Sequence, residues 1–191
     1  MAIILEGPDA SGKTSLAKSL LAMEPSLRFY SSGGAPKTKT QMDMFCAEQT
    51  MLSGNLGQIL DRITPISHPI YNQISAEDAE YLNYTLNKIL LQPRLVIVYC
   101  RPSNDMLMMP EKHQWKDYDT EEDKQKILTR QHEFIEAYDA VFEGIPHVHF
   151  DYSEYAANEE LVPLIASSQI SLDAYNQLMR NVHESKRCRV S

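Results

Sequence analysis

One octapeptide constrains this chain more than any other feature. Residues 7–14 read GPDASGKT, one residue (Glu6) after the apolar run Ala2, Ile3, Ile4 and Leu5. An apolar run closed by Gly7 and Pro8 reads as a strand buried on both faces, as in a parallel sheet. Residues 11–23 carry Leu16, Leu20 and Leu21 on one side and stop before Pro25, which reads as a helix. A GxxxxGK[ST] octad between a strand and a helix is a phosphate cradle. Gly7 and Gly12 allow backbone angles and a close approach that a side chain would forbid. The loop amides and the positive end of the helix then face an anion. The expected donor-binding set is therefore Gly7, Pro8, Ala10, Ser11, Gly12, Lys13, Thr14 and Ser15. Within it, Lys13 reaches the β- and γ-phosphates of ATP and Thr14 offers a hydroxyl to Mg2+.

The rest of the chain repeats the alternation of strand and helix. Strands are expected at residues 27–30, 56–61, 95–100 and 147–150. Helices are expected at residues 38–52, with Met42, Phe45, Gln49 and Leu52 along one face, and at residues 76–91 and 121–142. Residues 31–36 (SSGGAP) read as a flexible loop, and Pro65 and Pro69 bracket another. Residues 110–119 are polar and aperiodic, as a lid would be. A mostly helical tail follows residue 153. Such alternation implies right-handed βαβ units. The expected fold is α/β: a five-stranded parallel sheet of the P-loop NTPase kind, helices on both faces, in one domain over residues 1–191 with a small lid at about 110–120.

Composition narrows the partners. With 18 Lys and Arg against 26 Asp and Glu, the net charge is −8. That lacks the general positive field that long nucleic acids attract, so a small-molecule nucleotide is the expected partner. No apolar run approaches the roughly 18 residues of a membrane span, and the first residues lack the pattern of a signal peptide. Cys46, Cys100 and Cys188 are far apart and form no CxxC pair, so neither a disulfide framework nor a zinc site is indicated. A reducing cytoplasm is the expected setting. The histidines show no metal spacing; His147 and His149 alternate along a strand and are expected on one surface.

Four segments carry a resemblance to a known family. Residues 5–15 (LEGPDASGKTS) resemble the EGxDGxGKT opening of thymidylate kinases and related deoxynucleoside monophosphate kinases: Glu6, Gly7, Asp9, Gly12, Lys13 and Thr14 match, and Ala10 stands where glycine is common. Residues 32–36 (SGGAP) resemble the family's PGGTP loop without the Arg-Glu that often precedes it. Asp61, Arg62, Ser67 and Tyr71 resemble DRxxxSxxxAY with one extra residue before the serine. Arg130 falls where the family carries lid-helix arginines. The resemblance covers about residues 1–150, and the compact length is similar to that of small phage nucleotide kinases. It implies an ATP- and Mg2+-dependent transfer of a phosphoryl group to a nucleoside monophosphate. Two other readings stand beside it. One is a P-loop kinase of another acceptor, a nucleoside or a modified base in DNA. The other is a regulatory ATPase, disfavoured because Arg101 and Pro102, not acids, follow the apolar strand at 95–100. A homodimer is the default expectation.

The resemblance, and the placement and chemistry of single residues, imply further roles. Arg62 binds the acceptor phosphate, for which a guanidinium is suited by its bidentate geometry. Asp9 contacts the acceptor sugar or the phosphate surroundings; a carboxylate in a phosphate loop repels the triphosphate unless it turns away. Asp61, at the end of a buried strand, holds Mg2+ through water, caps a helix or pairs with Arg62. Gly34, Ser67 and Tyr71 line the acceptor pocket or are ordinary loop residues. Phe45 stacks on a base, although a ring on an apolar helix face more often packs in the core. Ala10 supplies no basic side chain, so Lys112, Lys116 and Arg130, with His113 beside them, are the candidates to bring positive charge to the migrating phosphoryl group. Arg101 lies at the ligand edge or forms a helix salt bridge. Tyr152, after the last strand, lies near the donor adenine.

Overall fold

The computed structural model describes residues 1–109, 121–154 and, in the tail, residues 159, 162, 163 and 165. The expected lid, with Lys112, His113 and Lys116, and most of the tail lie outside the described residues. Within them five strands form one parallel sheet: β1 Ala2–Glu6, β2 Arg28–Ser31, β3 Gln58–Asp61, β4 Leu95–Cys100 and β5 Val148–Phe150. Their order is β2-β3-β1-β4-β5, and every pairing is parallel. The helices are α1 Lys13–Met23, α2 Lys39–Ser53, α3 Thr64–Tyr71, α4 Ala76–Leu90, α5 Asn104–Leu107 and α6 Glu121–Gly144.

The continuous apolar runs of β1 and β4 are buried along their whole length, as central parallel strands must be. Alternate residues feed two cores. Ile3 and Leu5 pack with Leu16 and Leu20 of α1 and with Val96 and Val98. Ile4 turns to the other face, with Leu60, Ile97, Tyr99, Tyr138 and Phe142. There the rings of Tyr99 and Phe142 lie 4.2 Å apart and nearly parallel, which fixes α6 against the sheet. Because β2 and β3 lie on one side of β1, and β4 and β5 on the other, a crevice opens outside the carboxyl ends of the central strands. The octapeptide, Arg62 and Arg101 all follow strands at that edge.

Several expectations are corrected. The segment expected as a loop between Pro65 and Pro69 is helix α3. Pro65 sits in its first turn, where a missing N–H costs nothing, and only Pro69 forfeits a ladder bond. Burial of Thr64, Pro65 and Ile66 offsets that loss. The strand expected from residue 56 begins at Gln58, because Gly57 turns at φ 74 and Leu56 is exposed. On α2 the buried face is Met42, Cys46, Gln49 and Ser53, leaving Phe45 and Leu52 half-buried beside it. His147 is buried, with Nδ1 2.7 Å from the Ile145 carbonyl, whereas His149 is exposed; both rings nonetheless meet Tyr99 edge-on, so they share one face of the sheet as expected and differ in burial. Helix α5 was not anticipated. Among the described residues no helix is long and apolar enough to cross a membrane, and no group of three or more His, Cys, Asp or Glu is placed to hold a metal.

Candidate functional site

The octapeptide forms a tight loop at the end of β1, and its glycines are required by contact. Gly7 has φ 144, and a Cβ there would stand 2.3 Å from the Cys100 carbonyl oxygen. Gly12 has φ 84, and a Cβ there would stand 2.7 Å from Cδ1 of Tyr152. Tyr152, one of the expected donor-side residues, is thus laid directly on the loop. Ala10 adopts φ 63, a left-handed conformation that strains any side-chain-bearing residue. This is the position where the resembled motif has glycine.

Lys13 is buried, and its ammonium is held by the loop it serves. Nζ donates to the Gly7 carbonyl at 2.9 Å, the Pro8 carbonyl at 2.6 Å and Ser11 Oγ at 3.0 Å. Burial, reinforced by the positive charge of Arg62, brings its pKa down to about 8.

Arg62 reaches the same loop from the end of β3. It too is left-handed, at φ 64. Its Nη2 donates to Asp9 Oδ1 at 2.6 Å, to the Tyr71 hydroxyl at 3.0 Å and to the Gly7 carbonyl at 3.3 Å. The ammonium of Lys13 and the guanidinium of Arg62 therefore share one acceptor, Gly7 O. The partner of Arg62 is Asp9 and not the adjacent Asp61, which corrects one of the alternatives for Asp61. Burial opposes the charge of Arg62, but Asp9 overcomes it, and the group stays protonated well above its ordinary range. The Tyr71 ring lies under the guanidinium, 4.9 Å from Cζ, and packs on Phe134 at 4.6 Å. Burial pushes the Tyr71 hydroxyl up, so it remains a neutral hydrogen-bonding group. The repulsion expected of a carboxylate in a phosphate loop is met by this pairing. Asp9 is held from a third direction by Gln131 of α6, whose Nε2 donates to its backbone carbonyl at 3.0 Å.

No family model and no curated protein matches the chain. Solved structures do match. The YorR protein of Bacillus subtilis, in complex with phosphorylated GDP, gives a TM-score of 0.57 at 16% identity, covering 89% of this chain and 96% of that one. Polyphosphate kinase 2 of Arthrobacter aurescens TC1 gives 0.61 at 18% identity, covering 93% of this chain and 68% of that one. The fold is a P-loop NTPase fold.

On that P-loop frame the other expected residues fall in distinct places. Thr14 and Ser15, at the start of α1, are exposed. Asp61 ends β3, and its Oδ1 is buried without a hydrogen-bond partner among the described residues. Ser67 lies within α3 and donates to the Ile63 carbonyl at 3.0 Å. Gly34 is exposed in its loop at φ 147. Arg101 clasps Asp139 of α6 with Nε and Nη2, at 2.8 and 2.9 Å, and also donates to the Pro102 carbonyl and Asn104. The Tyr99 hydroxyl adds a bond of 2.6 Å to the same carboxylate. Burial opposes the charge of Asp139, but these bonds from Arg101 and Tyr99 hold its carboxyl below its ordinary value. Of the two alternatives for Arg101, the described geometry shows a helix salt bridge. Arg130 is half-exposed, pairs with Glu133 at 2.8 Å and lies over the Phe134 ring, so it borders the Tyr71 side of the site.

Sequence reasoning assigned no role to three buried polar residues around the site: Glu6, Gln49 and Gln131. Glu6 is fully buried at the end of β1. Its Oε1 accepts the Ile63 amide at 2.6 Å, and its Oε2 has no partner among the described residues. Burial, countered in part by that amide, by Arg62 and by Lys13, pushes its carboxyl up to about 7. Gln49 Oε1 accepts the Thr64 amide at 2.8 Å. A polar residue on an otherwise apolar helix face, as Gln49 is on α2, was the one available signal.

Proposed function

We propose that this chain is a nucleoside monophosphate kinase, transferring the γ-phosphoryl group of ATP to a (deoxy)nucleoside monophosphate with a dTMP-like acceptor. The carrying observation is that Lys13 and Arg62 converge on one carbonyl, Gly7 O. A phosphate-loop lysine grips the donor phosphates. A second phosphate-binding cation beside it, on a different strand, suits a second phosphorylated substrate. Transfer between two bound phosphates needs no covalent intermediate: position and charge neutralisation supply the catalysis.

In this reading the Lys13 ammonium leaves the loop carbonyls for the β- and γ-phosphate oxygens, and the glycine-rich loop holds the rest of the triphosphate through its amides. Arg62 orients the acceptor phosphate in line. Asp9 and Tyr71, both bonded to its Nη2, aim it, and by the family resemblance Asp9 also meets the deoxyribose. Tyr152, packed against Gly12, covers the donor side. Lys112, Lys116 and Arg130 remain the candidates to screen the migrating group. Thr14, with its exposed hydroxyl, and Asp61, with a buried and unpartnered oxygen, fit Mg2+, a hard cation bound by oxygen. When bound, it supplies charge neutralisation at the phosphates.

The test is ADP release from ATP with and without each deoxynucleoside monophosphate. A kinase is nearly idle alone and fast with its acceptor. Turnover that is equal with and without acceptors would overturn the reading in favour of an ATPase. Transfer only to a nucleoside or to DNA would move the acceptor class. The absence of acids after β4, where Arg101 and Pro102 stand, favours the kinase over the ATPase.

A further inference from the structure

Arg62 holds a backbone conformation that an arginine keeps only where its surroundings over-determine it. The turn between β3 and α3 shows what does so. The Arg62 amide itself donates to the Leu5 carbonyl at 2.9 Å. The next two amides, Ile63 and Thr64, open α3, and a helix start leaves such donors without internal partners. An N-cap side chain reaches only the amides two or three residues further on, so these two need partners from elsewhere. The N-cap here is Ile63, which has nothing to offer, and α3 has no cap of its own. Glu6, on β1, takes the Ile63 amide at 2.6 Å, and Gln49, on α2, takes the Thr64 amide at 2.8 Å. Both residues are 0% exposed. Two buried side chains from different elements thus grip consecutive peptide groups immediately behind the arginine that faces the phosphate loop.

We propose that Glu6 and Gln49 are positioning residues for Arg62: they lock the left-handed turn from behind and so set where the guanidinium stands relative to Gly7 and Asp9. The inference rests on the reading of Arg62 as the acceptor-phosphate residue. A cap that served stability alone would leave the acceptor Michaelis constant untouched in folded protein. A cap that aims Arg62 must raise it and must act through Arg62.

The experiment uses the full chain, Mg·ATP and dTMP, or whichever deoxynucleoside monophosphate the acceptor panel identifies. Glu6→Met and Gln49→Met keep side-chain length and remove the acceptor oxygen. Each is expected to raise the acceptor KM about tenfold and to lower kcat, with the ATP KM within about twofold. Glu6→Gln keeps an oxygen on the Ile63 amide and is expected to stay within about threefold of the unaltered chain in acceptor KM. In an Arg62→Ala background the methionine changes should add less than about twofold, because the residue through which they act is gone. An unchanged acceptor KM in folded Met variants, or full multiplication on top of Arg62→Ala, would overturn the proposal. Amide exchange at Ile63 and Thr64 needs no turnover. It should accelerate in the Met variants while the rest of the sheet keeps its protection. If no nucleotide is phosphorylated by the unaltered chain, the functional reading fails, yet the positioning claim is still decided. Unchanged exchange at both amides, with Arg62 still left-handed in a crystal structure of Glu6→Met, would overturn it. If a methionine variant does not fold, Gln49→Asn, which keeps the amide but shortens its reach, should move acceptor KM in the same direction; no movement overturns the proposal.

Discussion

Glu6 makes the stability of this fold pH-dependent in a direction opposite to that of most carboxylates. Its side chain is wholly buried at the end of β1, and desolvation disfavours the charged form more than Ile63, Arg62 and Lys13 favour it, raising the carboxyl from 4.5 to about 7. Between those values the folded chain binds a proton that the unfolded chain has released. Linkage then gives a negative slope: this group's contribution is complete below about pH 4.5 and is lost as pH rises through about 7. A shift of that size corresponds to about 3 kcal/mol over the whole window. Glu6→Gln removes the titration and keeps both the volume and the oxygen that accepts the Ile63 amide. Urea unfolding of the two proteins, at several pH values from about 5 to about 7, isolates the term, because the titrating groups that do not face Glu6 cancel in the difference and Lys13, which does face it, stays charged there. The unaltered chain should lose ground to Glu6→Gln steadily as pH rises across that range. A difference that is flat across the range, or that favours the unaltered chain as pH rises, would refute the reasoning. A flat difference would mean that Ile63, Arg62 and Lys13 balance the burial, and the reverse slope that they outweigh it.

Four further outcomes follow from the geometry. Lys13→Ala should cut phosphoryl transfer by about a hundredfold or more, as the nearest fixed cation to the developing charge is lost, while circular dichroism shows the fold retained. Arg62→Lys should raise the acceptor KM and leave the ATP KM nearly unchanged, since an ammonium cannot bind a phosphate bidentately; a collapse of ATP binding instead would move Arg62 to the donor side. Phe142→Ala should cost about 3–5 kcal/mol in urea unfolding, because it empties a fully packed site against Tyr99. Ala10→Gly should stabilise the chain slightly, by at most about 1 kcal/mol, because relief of the φ 63 strain is offset in part by the greater freedom of unfolded glycine; a clear loss would show that the Cβ makes a contact worth more than the strain.

The sheet was legible because its central strands are uninterrupted apolar runs that only a doubly covered parallel sheet can bury. The phosphate loop was legible because Gly7, Gly12, Lys13 and Thr14 act at fixed local spacing. Helix α3 was not, because two prolines spoke for a loop, and what outweighed them was the burial of Thr64, Pro65 and Ile66 among residues far away in sequence. The roles of Glu6 and Gln49 were illegible for the same reason. A cap supplied by the capped helix leaves a pattern of neighbours, whereas these oxygens come from residues 57 and 15 positions away. Asp61 misled for a related reason: adjacency in sequence suggested its pairing with Arg62, but successive residues at a strand end point apart, and the left-handed turn carries the guanidinium across to the loop after β1.

That crossing also explains how a phosphate loop tolerates a carboxylate. Asp9 would repel a triphosphate, yet its Oδ1 is held by Arg62, and both side chains remain partly exposed, at 30% and 26%. That exposure leaves the pair open to an anion arriving from the crevice. A phosphate offers two acceptor oxygens and more charge than one carboxylate oxygen, and it competes for the same Nη2. On the proposed reading, Asp9 holds Arg62 near the loop and yields it to the acceptor phosphate. Because Gln131 of α6 is bonded to the Asp9 carbonyl, a shift of Asp9 on that exchange would be felt at the helix that follows the expected lid.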